Sequence, residues 1–309
     1  MESKTYKRVA QRQRGNALTL TAASGKRVGM SAPRFIVGFS EIAPQYDAVY
    51  CDVWGVVHNG CAAFHDAIAA IRRFRAEQGP AVLLSNAPRL PDGVEAQFVR
   101  LGIPLDFYDG IVTSGSVARD DLIRRIAERG ELPLFYLGPA RDNPVFHGLN
   151  IRLVGEDEAE MVFCTGLLDD ETEQPEDYRR LLEGFKSRGL PFLCANPDIV
   201  VQRGDRLVYC AGALARLYES LGGRVVYFGK PYRAVFERAL EMARRISPAN
   251  KPIVIGDGIE TDIGGAQNVA LDALFIAGGI HAGDDEMALA NLFRDCRMQA
   301  VAAMRALSW

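Results

Sequence analysis

The chain has 309 residues, 48% of them hydrophobic and 24% charged, with a net charge of −3; this is the composition of an ordinary globular protein with room for two domains, or for one domain carrying a large insertion. The nearly balanced charge argues against a broad basic surface for nucleic acid or anionic membrane, and no apolar run approaches the roughly 20 residues of a membrane-spanning helix. Six cysteines stand singly at 51, 61, 164, 194, 210 and 296, with no CxxC and no His/Cys spacing suited to zinc; they read as reduced thiols of a cytoplasmic protein, with Cys51 and Cys61 as packing residues.

Residues 1–34 are basic and almost free of acid. They lack the apolar core of a signal peptide and read as a loosely ordered N-terminal extension. From about residue 47, short β-rich runs alternate with helical patterns, the rhythm of βα units and a parallel sheet. Ala48–Val53 is a predicted strand, Asp66–Gln78 a helix, Ala81–Ser85 a strand, Pro91–Leu101 a helix and Gly110–Val112 a short strand. A helix over Ser116–Arg129 follows, with Ser114 or Ser116 as its N-cap. A second alternating set comes next: strands at Leu134–Leu137, Arg152–Val154, Met161–Thr165 and Phe192–Ala195, and helices at Tyr178–Ser187 and Ala213–Leu221. The first rhythm then resumes with strand Val225–Phe228, helix Arg233–Arg245, strands Ile253–Ile255 and Ala273–Ile276, and a C-terminal helix. The fold class is therefore α/β, a Rossmann-like parallel-sheet core formed by residues 35–115 and 225–309 with an α/β insertion over 116–224.

Four strand ends carry chemistry. Asp52 lies in Tyr50-Cys51-Asp52-Val53-Trp54-Gly55, and Ser85-Asn86 follows Leu83-Leu84. Gly229-Lys230-Pro231 follows Tyr227-Phe228, and Gly256-Asp257-Gly258-Ile259-Glu260-Thr261-Asp262 follows Val254-Ile255. In open parallel sheets, ligands bind beyond the carboxyl ends of the strands. Lysine is scarce, with six in the whole chain, so one between Gly and Pro after a strand stands out. Were Asp52, Asp257 and Asp262 to converge, each pair at 4 Å would repel by about 4 kcal/mol at an effective dielectric of 20. A hard divalent cation held by oxygen ligands removes that penalty, and Mg²⁺ suits it. A metal and a lysine beside a carboxylate nucleophile fit phosphoryl transfer through an aspartyl-phosphate. Ser85 and the amides of Asn86 and of the turn through Gly55 would hold phosphate oxygens.

These four segments, in this order, resemble the four motifs of the haloacid dehalogenase superfamily, and the insertion resembles a type-2 cap. Val112-Thr113-Ser114-Gly115, Asn196-Pro197-Asp198, Ala211-Gly212-Ala213-Leu214 and Gly229-Lys230-Pro231 are similar to its NagD-like class IIA branch. The resemblance implies a Mg²⁺-dependent phosphatase of small phosphate esters. Asp52 would be the nucleophile, Lys230 its partner, and Asp52, Asp257, Asp262 and the main-chain carbonyl of Trp54 the metal ligands. Asn196 and Asp198, on the cap, would face the substrate, though Asn-Pro-Asp is equally ordinary turn chemistry. A homodimer is open.

One departure from the pattern matters. Family phosphatases carry a general acid–base aspartate two positions after the nucleophile, where this chain has Trp54. An indole donates one hydrogen bond but cannot shuttle protons. His58 is the nearest substitute in the same loop. Two other readings stay open: a dehalogenase-type hydrolase, which has no need of the acids at 257 and 262, and a catalytically weak phosphometabolite-binding protein.

Overall fold

In this computed structural model the structure describes residues 33–203, 206–278 and 281–309. The N-terminal extension expected over 1–34 lies, except for its last two residues, outside the described residues.

The chain lays down β1 (Ala48–Asp52), α1 (His65–Glu77), β2 (Ala81–Ser85), α2 (Pro91–Arg100), β3 (Gly110–Thr113) and α3 (Ser114–Arg129). The insertion supplies β4 (Leu132–Leu137), β5 (Ile151–Leu153), β6 (Met161–Cys164), α4 (Arg179–Ser187), β7 (Phe192–Cys194), β8 (Val200–Arg203), β9 (Arg206–Tyr209), α5 (Ala211–Ser220) and β10 (Val225–Tyr227). The core resumes with α6 (Arg233–Arg244), β11 (Pro252–Gly256), α7 (Gly264–Asn268), β12 (Asp272–Ile276), α8 (Glu286–Cys296) and β13 (Ala302–Met304). The core sheet has the order β13-β12-β11-β1-β2-β3 and is parallel throughout.

A parallel sheet covered by helices on both faces is apolar on both faces, so its strands read as continuous hydrophobic runs. All five residues of β1 are buried. Val49 and Cys51 pack with Ile68, Ile71 and Phe74 of α1 and Phe98 of α2; Ala48 and Tyr50 pack on the opposite side with Val117 and Leu122 of α3 and Phe236 and Ala239 of α6. The cap has its own parallel sheet, β10-β7-β6-β4-β5. Leu182 and Phe185 of α4 and Leu214 and Tyr218 of α5 cover one face of it.

Two sequence expectations are corrected. Val225–Tyr227, expected to restart the core, pairs with β7 and completes the cap sheet. Its residues are only half-buried, so sheet membership follows from its neighbour rather than from any apolar signal of its own. Helix α3, expected to open the cap, packs its Val117, Ala118 and Leu122 into a cluster that holds residues of both the core sheet and the insertion, Tyr50 and Leu84 with Leu134 and Phe163. Its N-cap is Thr113, whose side chain accepts from the Ser116 amide in a reciprocal capping box; a side-chain oxygen there satisfies one of the free amides of the first turn. The antiparallel hairpin β8–β9 and the edge strand β13 were not anticipated.

Candidate active site

Strand direction brings the chemistry to one edge. Asp52 and Ser85 are the last residues of the adjacent parallel strands β1 and β2, and Asp257 directly follows β11, the neighbour of β1 on its other side. Asp262 lies in the one-turn helical segment that continues into α7. Lys230 arrives from the cap, three residues after β10, and is buried.

The Lys230 Nζ donates to Asp52 Oδ1 at 2.5 Å and to Asp262 Oδ1 at 2.8 Å. Asp262 also accepts from the Gly258 amide at 3.1 Å and the Thr261 hydroxyl at 3.2 Å. Asp52, Asp257 and Asp262 each offer one carboxylate oxygen, and these atoms lie within 4.8 Å of one another. Gly55, at φ 90, passes so close that a Cβ there would fall 2.0 Å from Asp257 Oδ2. Only glycine lets the loop after the nucleophile candidate approach that carboxylate.

Three carboxylates share one ammonium, and the electrostatics follow. Burial, then the charge of Asp262, push the Asp52 carboxyl up to about 7 against the pull of Lys230. Burial, with Asp52 and Asp262, holds Asp257 well above the usual carboxylate range. Burial alone would lower the Lys230 ammonium, but Asp262 and Asp52 outweigh it and raise it. The residual negative charge in an all-oxygen cluster fits a hard divalent cation.

Asn86 joins three pieces. Its Oδ1 accepts from the Lys230 amide at 2.8 Å, and its Nδ2 donates to the Lys230 carbonyl at 3.3 Å and to Asp198 Oδ1 of the cap at 2.8 Å. Burial raises the Asp198 carboxyl. Asn196 is buried, and its Oδ1 accepts from the Asp198 amide at 3.0 Å, so this side chain is turned to the cap's own Asn-Pro-Asp turn. The Ser85 Oγ accepts from the Ala87 amide at 3.1 Å. Glu260 is exposed.

His58 is not gathered with the acids. It is 0% exposed; its Nδ1 accepts from the Gly60 amide at 2.9 Å, and its ring meets Trp54 and Phe98 edge-on. Its Nε2 is buried without a hydrogen-bond partner, and burial lowers its pKa to about 4. Trp54 donates its indole N–H to the Gln202 carbonyl on the cap hairpin at 2.9 Å. Cys51 is buried as expected, but Cys61 is exposed and packs in no core. Arg141 pairs with Asp170. Ser114, expected as an N-cap, instead donates its hydroxyl to the Phe228 carbonyl just before Lys230; missed in the sequence were the core–cap pair Arg89–Asp142 at 3.0 Å and the hairpin itself. The hairpin had a signal, two β-branched runs flanking a Gly-Asp pair.

Two family models cover much of this architecture: haloacid dehalogenase-like hydrolase over residues 49–152 and HAD-hydrolase-like over residues 227–296. A crystal structure of a haloacid dehalogenase-like family hydrolase from Brucella suis 1330 is 48% identical, with a TM-score of 0.77 over 87% of this chain and 98% of that one. The chain belongs to the haloacid dehalogenase-like hydrolase family. Among its curated HAD relatives, the ribonucleotide monophosphatase NagD of Escherichia coli K12 is 24% identical over 240 residues, 77% of this chain and 90% of that protein. A possible sugar phosphatase of the HAD superfamily from Cytophaga hutchinsonii shares the fold, with a TM-score of 0.74 at 21% identity over 88% and 98% of the two chains. The parallel core sheet with an inserted α/β cap is the form in which this HAD chain presents its acids.

Proposed function

We propose that the protein is a HAD-type phosphatase that hydrolyses a small phosphate monoester through an aspartyl-phosphate on Asp52. The observation that carries the reading is the convergence of Asp52, Asp257 and Asp262 around Lys230 at the carboxyl edge of β1, β2 and β11. Relatives named as a ribonucleotide monophosphatase and a possible sugar phosphatase support it.

Magnesium, held by Asp52, Asp257, Asp262 and the Trp54 main-chain carbonyl, would offset the charge on the transferring phosphoryl oxygens. A carboxylate oxygen of Asp52 forms a bond to phosphorus as the ester oxygen–phosphorus bond breaks, and the leaving group departs with the bonding pair. Lys230 opposes the rise of the Asp52 carboxyl, favouring its ionised form, and neutralises phosphate charge. The Ser85 hydroxyl and the amides following Asp52 hold phosphate oxygens. Water then cleaves the acyl-phosphate, releasing inorganic phosphate and restoring the carboxylate. Asn86, through both main-chain atoms of Lys230, fixes where the ammonium points.

His58 is reassigned from proton donor to fastener of the loop, because a neutral, fully buried imidazole facing Trp54 and Phe98 has no route to a leaving group. With neither Trp54 nor His58 supplying that proton, compounds whose leaving groups depart as anions are the favoured substrates. Replacing Asp52 with Asn tests the proposal. Magnesium-dependent release of phosphate from an aryl phosphate should fall by on the order of 10³ or more. Turnover retained by that variant would overturn the reading.

A further inference from the structure

Trp54 stands where the family pattern places a proton donor, and its single N–H is already engaged by the carbonyl of Gln202, 148 residues along the chain. That carbonyl belongs to β8. The β8–β9 hairpin is a two-stranded sheet of its own, outside both the core and the cap sheets. Several polar links tie it to its surroundings, among them Arg203 to Glu171 at 3.9 Å and Arg206 to the Glu171 carbonyl at 3.5 Å. Arg203 at the end of β8 pairs with Asp170 of the cap at 2.9 Å, and Trp54 ties the neighbouring residue to the core.

The indole is held in place for that bond. Gly60, at φ 86, leaves no room for a Cβ, which would fall 2.5 Å from Trp54 Cη2. His58 meets the ring edge-on with centroids 5.1 Å apart, and the Gly60 amide in turn is fastened to His58 Nδ1. An apolar plug would need volume only. Here the loop orients a donor toward one acceptor on the other domain.

Building on the phosphatase reading, we propose that Trp54 is a latch: a positioning residue whose indole N–H fastens the Val200–Tyr209 hairpin over the loop that follows the nucleophile. The position that elsewhere moves a proton holds the cap instead. The hairpin, aligned by this bond, then sets how closely the substrate's leaving group is enclosed. The latch acts through the hairpin and touches no reacting atom, so its loss affects retention of substrate more than the chemical step.

Trp54→Phe keeps most of the ring and removes the donor. Gly60→Ala keeps the donor and displaces the ring. In both variants, trypsin should cut at Arg203 and Arg206 about fivefold faster than in the parent protein, the scale of one lost hydrogen bond between neutral partners. In Gly60→Ala, which lies outside the metal and phosphate ligands, KM for p-nitrophenyl phosphate with magnesium should rise by about the same factor, while kcat stays within about twofold. Unchanged cleavage at these two arginines in both variants would overturn the latch. So would cleavage accelerated equally at arginines throughout the chain, which marks general loosening, or a fall in kcat at unchanged KM. Proteolysis needs no turnover. If Asp52→Asn were to remove the phosphatase reading, the cleavage comparison would still decide whether Trp54 fastens the hairpin.

Discussion

The rim of the core sheet and the seam between core and cap are built in opposite ways. At the rim, three acids and one lysine are buried or half-buried, and Lys230 is paired with both Asp52 and Asp262. Asp262 alone takes part in bonds with Lys230, the Gly258 amide and the Thr261 hydroxyl. At the seam, the side-chain links include single bonds set apart from one another, Trp54 to Gln202, Asn86 to Asp198 and Arg89 to Asp142. A dense charged cluster is costly to alter because each removal leaves an uncompensated partner. Single polar links between domains can open and close at modest cost. Changes at the rim should therefore act on chemistry and stability, and changes at the seam on substrate retention.

The largest expected effect sharpens the rim side of this contrast. With the indole N–H of residue 54 engaged and His58 buried away from the acids, neither of these two side chains offers a proton to the leaving group. Rates should fall across a series from aryl to alkyl phosphates by on the order of 10²–10⁴, the usual worth of general acid help. A flat series in the same kcat/KM measurement would point to a substitute acid within the cleft.

Next comes Lys230→Met, which leaves three carboxylates facing one another. Without added cation the variant should lose about 3–5 kcal/mol in denaturant unfolding, the scale for breaking a buried ion pair. Magnesium should restore part of the loss by binding the folded state alone. Equal stability of variant and parent in chelator would break the picture of a rim governed by charge.

His58 gives a pH test. Its folded-state pKa is about 4, below the ordinary value of 6.5. Between these values the unfolded chain binds a proton that the folded protein excludes, so stability falls as pH drops from about 6.5 towards about 4, by up to roughly 3 kcal/mol for this group. In His58→Gln, which keeps an acceptor for the Gly60 amide, the unfolding free energy should vary less over that window. Should the variant instead fold normally and lose turnover, His58 would return as the proton donor.

The smallest effect belongs to the seam. Asp198→Ala removes the acceptor of Asn86 Nδ2, a charge-assisted bond of about 1–2 kcal/mol, and should raise KM roughly tenfold with little change in kcat. A matching loss of kcat would place Asp198 with the rim, not the seam.

Asp52, Ser85, Asp257 and their strands are legible in the sequence alone because the signal is local: an apolar run, then a polar residue, with a glycine close after each aspartate. Gly55 is legible as a turn, but its second reason, the 2.0 Å approach of a would-be Cβ to Asp257, is not. His58 misleads because a histidine six residues from a nucleophile looks available. Its neighbour Phe98 comes from α2, forty residues later. Cys61 departs in the opposite sense, an apolar-looking residue left exposed.

The sequence determined unaided which chemical groups stand at which strand ends, since the last residue of a strand and those just after it are neighbours in the chain. Only the tertiary structure decided partnership. Val225–Tyr227 joins the cap because β7 is its neighbour, Lys230 thus reaches the core from the cap side, and the Trp54 N–H meets a carbonyl 148 residues away. Hydrogen bonds and burial depend on distances between residues remote in the chain, and a pattern of local periodicity carries no record of those distances.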